Sequence, residues 1–269
     1  MKRWMLAGSA LGALLALVAF APAAWLARGV SAGTEGRLLL ADARGTVWQG
    51  SAVLVLTGGP GSRDASALPG RLHWTLGLAG SALSLGLQQA CCIAQELRLR
   101  LVPGLGRLRI ELPGAGDGAA LGSAVAPRVL GQWPASWLVG LGTPWNTLKP
   151  AGTLQLSSAG LVAEAVQGRW IMQGQAELQL RGMSSSLSTL EELGSYRLDL
   201  QGDPRGDAAR VQLNTTDGAL QLSGSGDWAA SGLRFRGQAS AAPGSEAALS
   251  NLLNIIGRRQ GALSLISIG

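Results

Sequence analysis

A hydrophobic period of two runs through most of this chain and constrains its fold more than any other feature. In RLHWTL, for example, Leu72, Trp74 and Leu76 share one face of an extended backbone, and polar residues share the other. The same alternation recurs in SALSLGL, ELRLRLV, RLRIEL and several later runs. Because successive side chains of a β-strand point to opposite faces, this pattern predicts half-buried antiparallel strands. Within NTTDGALQL, Asp217 and Gly218 predict a hairpin turn.

The spacing of these runs also predicts the fold class. They are short and are separated by glycine, aspartate and proline, as expected when each strand returns beside the previous one. We therefore expect a mainly β protein: an N-terminal transmembrane helix followed by a long twisted or curved antiparallel sheet of stacked hairpins, with a few short helices. Within residues 124–142 the apolar side chains fall near helical spacing, which predicts two short helices with Pro134 near the start of the second.

Two later stretches also break the period of two. In SLSTLEELG (186–194), Ser188 and Glu191 have the spacing of a capping box and Gly194 follows as a stop, which predicts a short helix. In SEAALSNLLNIIG (245–257), four apolar residues fall on one helical stripe that ends at Gly257. These four are Leu249, Leu252, Leu253 and Ile256.

Residues 1–27 have the features of a membrane-targeting segment. Lys2 and Arg3 form a basic start, and the eighteen residues from Trp4 to Ala21 carry no charge. That length is near the lower limit of the roughly 17–25 residues that span a bilayer, and the basic end is expected to stay in the cytoplasm. A cleaved signal peptide is the alternative, since APA at 21–23 resembles a cleavage site, but the length of the span favours an uncleaved anchor.

Two glycines give the anchor a possible packing face. Gly8 and Gly12 are four residues apart, which is the small-xxx-small spacing that lets transmembrane helices approach each other closely. We therefore expect a partner helix to pack there. The same pattern arises easily by chance in an alanine-rich segment, so the two glycines carry little weight by themselves.

The composition excludes two further classes of protein. Apolar residues make up 47% of the chain and charged residues 14%, against a usual charged share of about 25%, so the chain is not a disordered polar segment. The net charge of +6 comes mostly from arginines that alternate with leucines. This spacing places the charges on the outer face of strands rather than in a nucleic-acid-binding patch.

Few residues here could carry chemistry. The single histidine, His73, falls on the polar side of a strand, away from any cluster of cysteine or acidic residues, so a catalytic triad or a histidine-based metal site is not expected. The glycine-rich GPG, GLG and GSG begin no βαβ unit and include no P-loop lysine. We expect no catalytic residue, cofactor, metal or small-molecule substrate, and hence no enzyme.

The two cysteines are neighbours in sequence. Placed on a strand, Cys91 and Cys92 would point to opposite faces, which does not favour a bond between them. We therefore interpret them as packing residues or spare thiols. An intermolecular or vicinal disulfide remains the alternative, because an exported chain meets an oxidising compartment.

The stretch LGTPWNTLKP (141–150) holds the densest group of unusual residues. The proline ring fixes φ, the tryptophan needs a large apolar contact, and asparagine readily bonds its own backbone in a turn. No nucleophile or base is among them, so we predict a structural junction between two β regions. Its members are Gly142, Pro144, Trp145, Asn146 and Pro150.

Several motifs together resemble the type II secretion system protein N family. They are PAAWLA, GTVWQG, PASWLVGLGTPWNTLKPAGTLQLSS, LGSYRLDLQGD, TTDGALQLSGSGDW, LRFRGQASA and LLNIIGRR. The resemblance implies a single-pass bacterial inner-membrane protein with a periplasmic β-rich domain and an accessory role in exporting folded proteins. It implies no enzyme activity. The implied partners are the periplasmic modules of the outer-membrane secretin and the proteins of the inner-membrane platform. The predicted anchor adds membrane lipid as a partner.

Combined with this resemblance, the sequence divides into four regions. Residues 1–27 are expected to form a cytoplasmic tip and the inner-membrane anchor helix, and residues 28–122 a periplasmic β region. A short-helix junction at 123–150 leads to a second periplasmic β region with a C-terminal helix at 151–269.

A lipid-handling protein is the competing interpretation. A long curved sheet with leucines on its concave face could hold acyl chains in an apolar groove. Helices of the chain that cover the concave face would count against it. If the chain instead binds proteins, an edge strand is a reasonable docking place, because its backbone groups are unpaired.

Overall fold

The computed structural model describes residues 12–13, 16–112, 127–166, 169–203, 208–229 and 232–269. Most of them lie in strands. The strands are β1 (Leu38–Gly45), β2 (Gln49–Thr57), β3 (Ala65–Ala67), β4 (Leu72–Ala79), β5 (Ala82–Gln89), β6 (Ile93–Gly104), β7 (Arg107–Leu112), β8 (Arg128–Pro134), β9 (Pro150–Val166), β10 (Arg169–Ser185), β11 (Gly194–Gly202), β12 (Ala208–Asp217), β13 (Leu220–Ala229), β14 (Gly232–Ala241), β15 (Arg258–Gln260) and β16 (Leu263–Ile268). The helices are α1 (Ala23–Gly33), α2 (Trp145–Leu148) and α3 (Glu246–Ile256), with a 3-10 helix at Ala135–Leu141.

Within the described residues, the strands form one open antiparallel sheet. The order is β1-β2-β4-β5-β6-β7-β9-β10-β11-β12-β13-β14-β16-β15, with β3 pairing with β2 and β8 with β9. Almost every neighbour in space is therefore a neighbour in sequence, as in stacked hairpins. The predicted hairpin turn at Asp217 and Gly218 joins β12 to β13. The mainly β, antiparallel fold class predicted from the sequence is confirmed.

The sheet has one apolar and one polar face, because the period of two stays in register across the strands. Leu178 on β10 faces Leu156 on β9 and Leu198 on β11. The next residue, Gln179, faces Gln155 on the opposite side of the sheet. Side chains directly opposite in antiparallel strands lie on the same face, so each pairing extends the same two surfaces.

The larger hydrophobic core lies on the apolar face of the C-terminal half. Helix α3 places Leu249, Leu252 and Leu253 there, each no more than 2% exposed. These leucines pack with side chains from five strands, the 3-10 helix and the segment before β11. The other buried members are Ala135, Leu154, Met183, Leu193, Tyr196, Leu220 and Ala239. The helix predicted at 245–257 is confirmed, with its stripe facing the core.

The smaller core lies at the N-terminal end of the same face. Trp74 on β4 packs with Ala52 on β2 and Ala23 on α1, and all three are at most 2% exposed. The indole lies over Gly50, where an added Cβ would come within 2.5 Å of the ring. A glycine in the neighbouring strand thus makes the space that this tryptophan fills.

Two of the predicted helices are wrong. Residues 128–134 form β8 and pair with β9, so the first helix predicted within 124–142 is replaced by a strand, while residues 113–126 lie outside the described part. The second is a 3-10 helix, and Pro134 immediately precedes it. Residues 186–191 form turns, because the Ser188 hydroxyl accepts from the Leu190 N–H and donates to the Ala248 carbonyl.

About half of the predicted anchor at 1–27 lies outside the described residues, which omit 1–11 and 14–15 and therefore Gly8. Residues 16–19 are helical, and Leu17, Val18 and Phe20 are about half exposed or more. Among the described residues, and apart from the neighbouring residues and backbone of its own helix, no heavy atom lies within 4 Å of a Cβ added at Gly12. Among the described residues, none of the helices has both the length and the apolar character that crossing a membrane requires.

Candidate functional site

The Leu141–Pro150 stretch lies where the loop after β2 approaches the start of β9. The 3-10 helix ends at Gly142, whose φ of 78° is one that glycine tolerates without steric cost. A Cβ at this position would lie 3.2 Å from Asp64 Oδ2. The peptide bond between Thr143 and Pro144 is cis, and the chain then enters the single turn of α2.

A long-range hydrogen bond ties the Leu141–Pro150 stretch to the N-terminal half of the chain. Asn146 Nδ2 donates to Asp64 Oδ2 at 3.1 Å, across 82 residues of sequence. The hydroxyls of Thr143 and Thr147 each donate to Asn146 Oδ1 at 3.3 Å, which orients the amide. Asn146 therefore bonds a carboxylate from the loop between β2 and β3.

The exit from this stretch is fixed to the C-terminal half. Lys149 has a φ of 44°, and the Ser185 hydroxyl donates to the carbonyl of Leu148 at 2.5 Å. Pro150 is buried and pairs with Ser185 at the start of β9, and Trp145 is half-buried. These contacts join two distant parts of the sheet.

We expect the Asp64–Asn146 hydrogen bond to contribute measurably to stability. Asp64→Ala and Asn146→Ala should each lower the free energy of unfolding, and the double variant should lose less than the sum. The coupling energy is expected to be about 0.5–1.5 kcal/mol, since the bond joins an amide to a partly buried carboxylate. Urea unfolding of the four proteins measures it. Strictly additive losses would show that the two residues act independently.

The expectation that Cys91 and Cys92 are free thiols is wrong. They form a vicinal disulfide. Residues 90–92 make the turn between β5 and β6, so the opposite-face geometry of a strand does not apply to them. The Cys92 carbonyl also accepts from the Gln132 N–H at 2.7 Å, which joins this turn to β8.

A cleft of about 440 Å³ lies beside this turn. One wall comes from the start of β6, including Gln95 and Glu96, and the other from β8, including Arg128. The alternation in ELRLRLV predicts β6, but residues 128–134 were expected to be helical, so the sequence pattern gave no sign of a cleft between β6 and β8.

The polar face of the sheet carries paired charges. Arg109 contacts Glu111 at 2.8 Å, and Arg197 contacts Glu177 at 3.5 Å. His73 is exposed on the same kind of surface. Within the described ranges, no three His, Cys, Asp or Glu side chains are grouped so that they could hold a metal ion.

Two carboxylates meet across neighbouring strands of this face. Asp199 lies directly opposite Glu177 in the pairing of β11 with β10. Burial raises the pKa of the Asp199 carboxyl above its ordinary value of 3.8, and the charge of Glu177 raises this pKa further. The charged form of Asp199 is therefore less favourable in the folded protein than in the unfolded chain.

Replacing Asp199 with asparagine is expected to stabilise the protein at neutral pH. Because its folded pKa is raised, the carboxylate opposes folding above that pKa, and the opposition disappears as the pH falls toward 3.8. We expect a gain of about 0.5 kcal/mol at pH 7, a small value because the site is partly solvated. Thermal unfolding at neutral and acidic pH measures this. An equal gain at both pH values would contradict the charge-based explanation.

The fold and these contacts define a mainly β protein built on one large open sheet. The chain belongs to the type II secretion system protein N family, because the family model described as "Type II secretion system (T2SS), protein N" matches residues 36–265. The family inferred from the sequence motifs is thereby confirmed. No curated protein matches the chain significantly. No solved structure matches it significantly either.

Proposed function

We propose that this chain links the inner-membrane platform to the outer-membrane secretin during the export of folded proteins. The observation that carries the proposal is the family match over residues 36–265, which includes almost the whole sheet. Membership of this family supports an accessory role in type II secretion and a membrane-associated location. The link between the two membranes goes beyond what family membership supports, and binding to the secretin tests it.

The proposed arrangement follows the four regions defined above. Residues 1–27 supply a single inner-membrane span that ends before Ala23, which packs on the sheet, and residues 28–122 and 151–269 lie in the periplasm. The junction at 123–150 separates two β regions in sequence, but β7 and β9 pair across it. The two regions therefore belong to one sheet, and we expect them to act as one body.

A binding measurement tests the proposed link. The full chain, purified in detergent, is immobilised and exposed to the periplasmic modules of the cognate secretin. We expect saturable binding in the micromolar range or tighter, as for transient assemblies of this kind. An unrelated periplasmic protein of similar size serves as the control. Binding no stronger than to that control would overturn the proposal.

Lipid handling is a second candidate, supported by one observation on the apolar face. Between the two cores, Leu83, Leu101 and Ile110 stand opposite one another on β5, β6 and β7 and are only partly buried. Helices α1 and α3 cover the ends of this face, which limits the groove. Lipid that co-purifies with the wild type but not with Leu101→Glu would support this function over the first.

A further inference from the structure

The two ends of the open sheet differ in how they are protected. At the first end, Ala23 of α1 packs beside Leu40 and Ala43 of β1. A bulge interrupts the pairing of β1 between Ala41 and Arg44. Bulges and covering helices are common ways of preventing an edge strand from pairing with another chain.

The charges at this first end are also paired within the chain. Asp42 lies in the bulge with a φ of 49° and contacts Arg71 at 2.8 Å and Arg44 at 2.7 Å. Hydrogen bonds from Arg71, and then from Arg44, hold the pKa of the Asp42 carboxyl below its ordinary value. These arginines are therefore already engaged with an acidic partner.

At the opposite end of the sheet, the last strand is short and its side chains are exposed. The chain leaves α3 at Gly257, where an added Cβ would lie 2.5 Å from the Leu265 carbonyl, and then forms β15. In the part of the chain that the structure describes, β15 pairs with β16 alone. All three residues of β15 are exposed, and Arg258 and Arg259 form no ion pair within the described residues.

Exposed apolar side chains lie on β16 opposite two of the β15 residues. Leu265 stands directly opposite Arg258 and is 41% exposed, and Leu263 stands opposite Gln260 and is 38% exposed. Ile255 of α3, three residues before Arg258 in sequence, is also 41% exposed. The edge thus offers backbone hydrogen-bonding groups, two unpaired cations and an apolar surface together.

We propose that the edge of β15 binds an extended, acidic segment of a partner protein by strand addition. A docked strand would pair with the free backbone groups of β15, and its side chains would lie beside Arg258, Arg259 and Gln260. Because Arg258 and Arg259 point to opposite faces, the segment carries two adjacent acidic residues, one for each arginine. This proposal rests on the proposed function, since it names the surface through which a secretion component meets its partner.

A synthetic peptide provides a probe that does not depend on knowing the partner. The probe is a fluorescent decapeptide of alternating valine and threonine with two adjacent glutamates at its centre. A matched peptide carries two lysines in their place. Fluorescence anisotropy with the full chain in detergent is expected to give saturable binding of the glutamate peptide and no saturable binding of the lysine peptide.

Charge reversal at the edge should exchange these preferences. The double variant Arg258→Glu/Arg259→Glu is expected to weaken binding of the glutamate peptide by about tenfold or more, and to bind the lysine peptide instead. The control Arg63→Glu/Arg107→Glu makes the same change in net charge at two exposed arginines on a loop and on β7. It should leave both affinities unchanged, and circular dichroism verifies that each variant is folded.

The outcomes separate this proposal from the proposed function. If the secretin modules bind the wild type but the wild type shows no preference between the peptides, or the double glutamate variant gains no affinity for the lysine peptide, the edge proposal is wrong. The link to the secretin then stands. If the glutamate peptide binds and the charge reversal acts as expected while the secretin modules do not bind, the edge is a docking surface and the link is wrong. Equal effects of the edge variant and its control would also overturn the edge proposal.

Discussion

Trp74→Ala is expected to lower the free energy of unfolding by about 3–5 kcal/mol, as for other buried aromatic truncations. The indole is 2% exposed and fills the space above Gly50. Its N–H donates to the carbonyls of Thr46 at 3.2 Å and Val47 at 3.1 Å. Alanine would therefore leave a cavity beneath α1 and remove a donor from the turn between β1 and β2.

Trp228→Ala is the matched control for this prediction. Trp228 also lies on a strand, but it is 45% exposed. Replacing it with alanine therefore removes less buried apolar surface than replacing Trp74 does. We expect a loss of about 1 kcal/mol or less, near the centre of the range for ordinary substitutions. Urea unfolding followed by circular dichroism compares the two variants. Similar losses would mean that Trp74 is not the centre of the N-terminal core.

Leu253→Ala has the second large expected effect, a loss of about 2–5 kcal/mol. Leu253 is 1% exposed and lies with Leu249 and Leu252 against the apolar face of the sheet. Its carbonyl also accepts a hydrogen bond from the Ser264 hydroxyl, which ties α3 to β16. The cavity would therefore loosen the contact that holds the helix on the C-terminal strands.

The same helix offers a control with little burial. Ile255 is 41% exposed, so Ile255→Ala changes helix composition without opening a buried cavity. We expect a loss well below that of Leu253→Ala. Hydrogen exchange of the β16 amides should increase in the Leu253 variant alone. An equal loss of stability at the two positions would contradict the assignment of α3 as a cover for the sheet.

The features that followed from the sequence are those set by local periodicity. Alternation of apolar and polar residues specifies which side chains share a face, and strands in register extend that pattern across the sheet. Helix α3 was equally clear, since its leucine stripe and terminal Gly257 both lie within one short segment. The hairpin turn at Asp217 and Gly218 depended on two adjacent residues.

The features that the sequence missed depend on contacts between distant residues. β8 becomes a strand because it pairs with β9, and Asn146 gains its partner Asp64 from 82 residues away. The segment at 186–191 has the spacing of a capping box, yet Ser188 bonds the carbonyl of Ala248 and the segment stays in turns. Tertiary contacts override a local helix signal of this kind.

The vicinal disulfide was only the alternative interpretation, for a different reason. Extending the alternation of a β-strand through Cys91 and Cys92 placed the two side chains on opposite faces. The chain in fact reverses there, and a turn lets neighbouring sulfur atoms meet. The error was in the position of the strand boundary, which sequence patterns locate less well than the strands themselves.

Co-purification from crosslinked membranes tests the central claim most directly. A tagged full chain is expressed from its own locus, the cells are crosslinked, and the solubilised complexes are isolated through the tag. If the chain links the two membranes, both the secretin and the inner-membrane platform proteins should be recovered together. Recovery of only one of them, or of neither, would contradict the proposed link between platform and secretin.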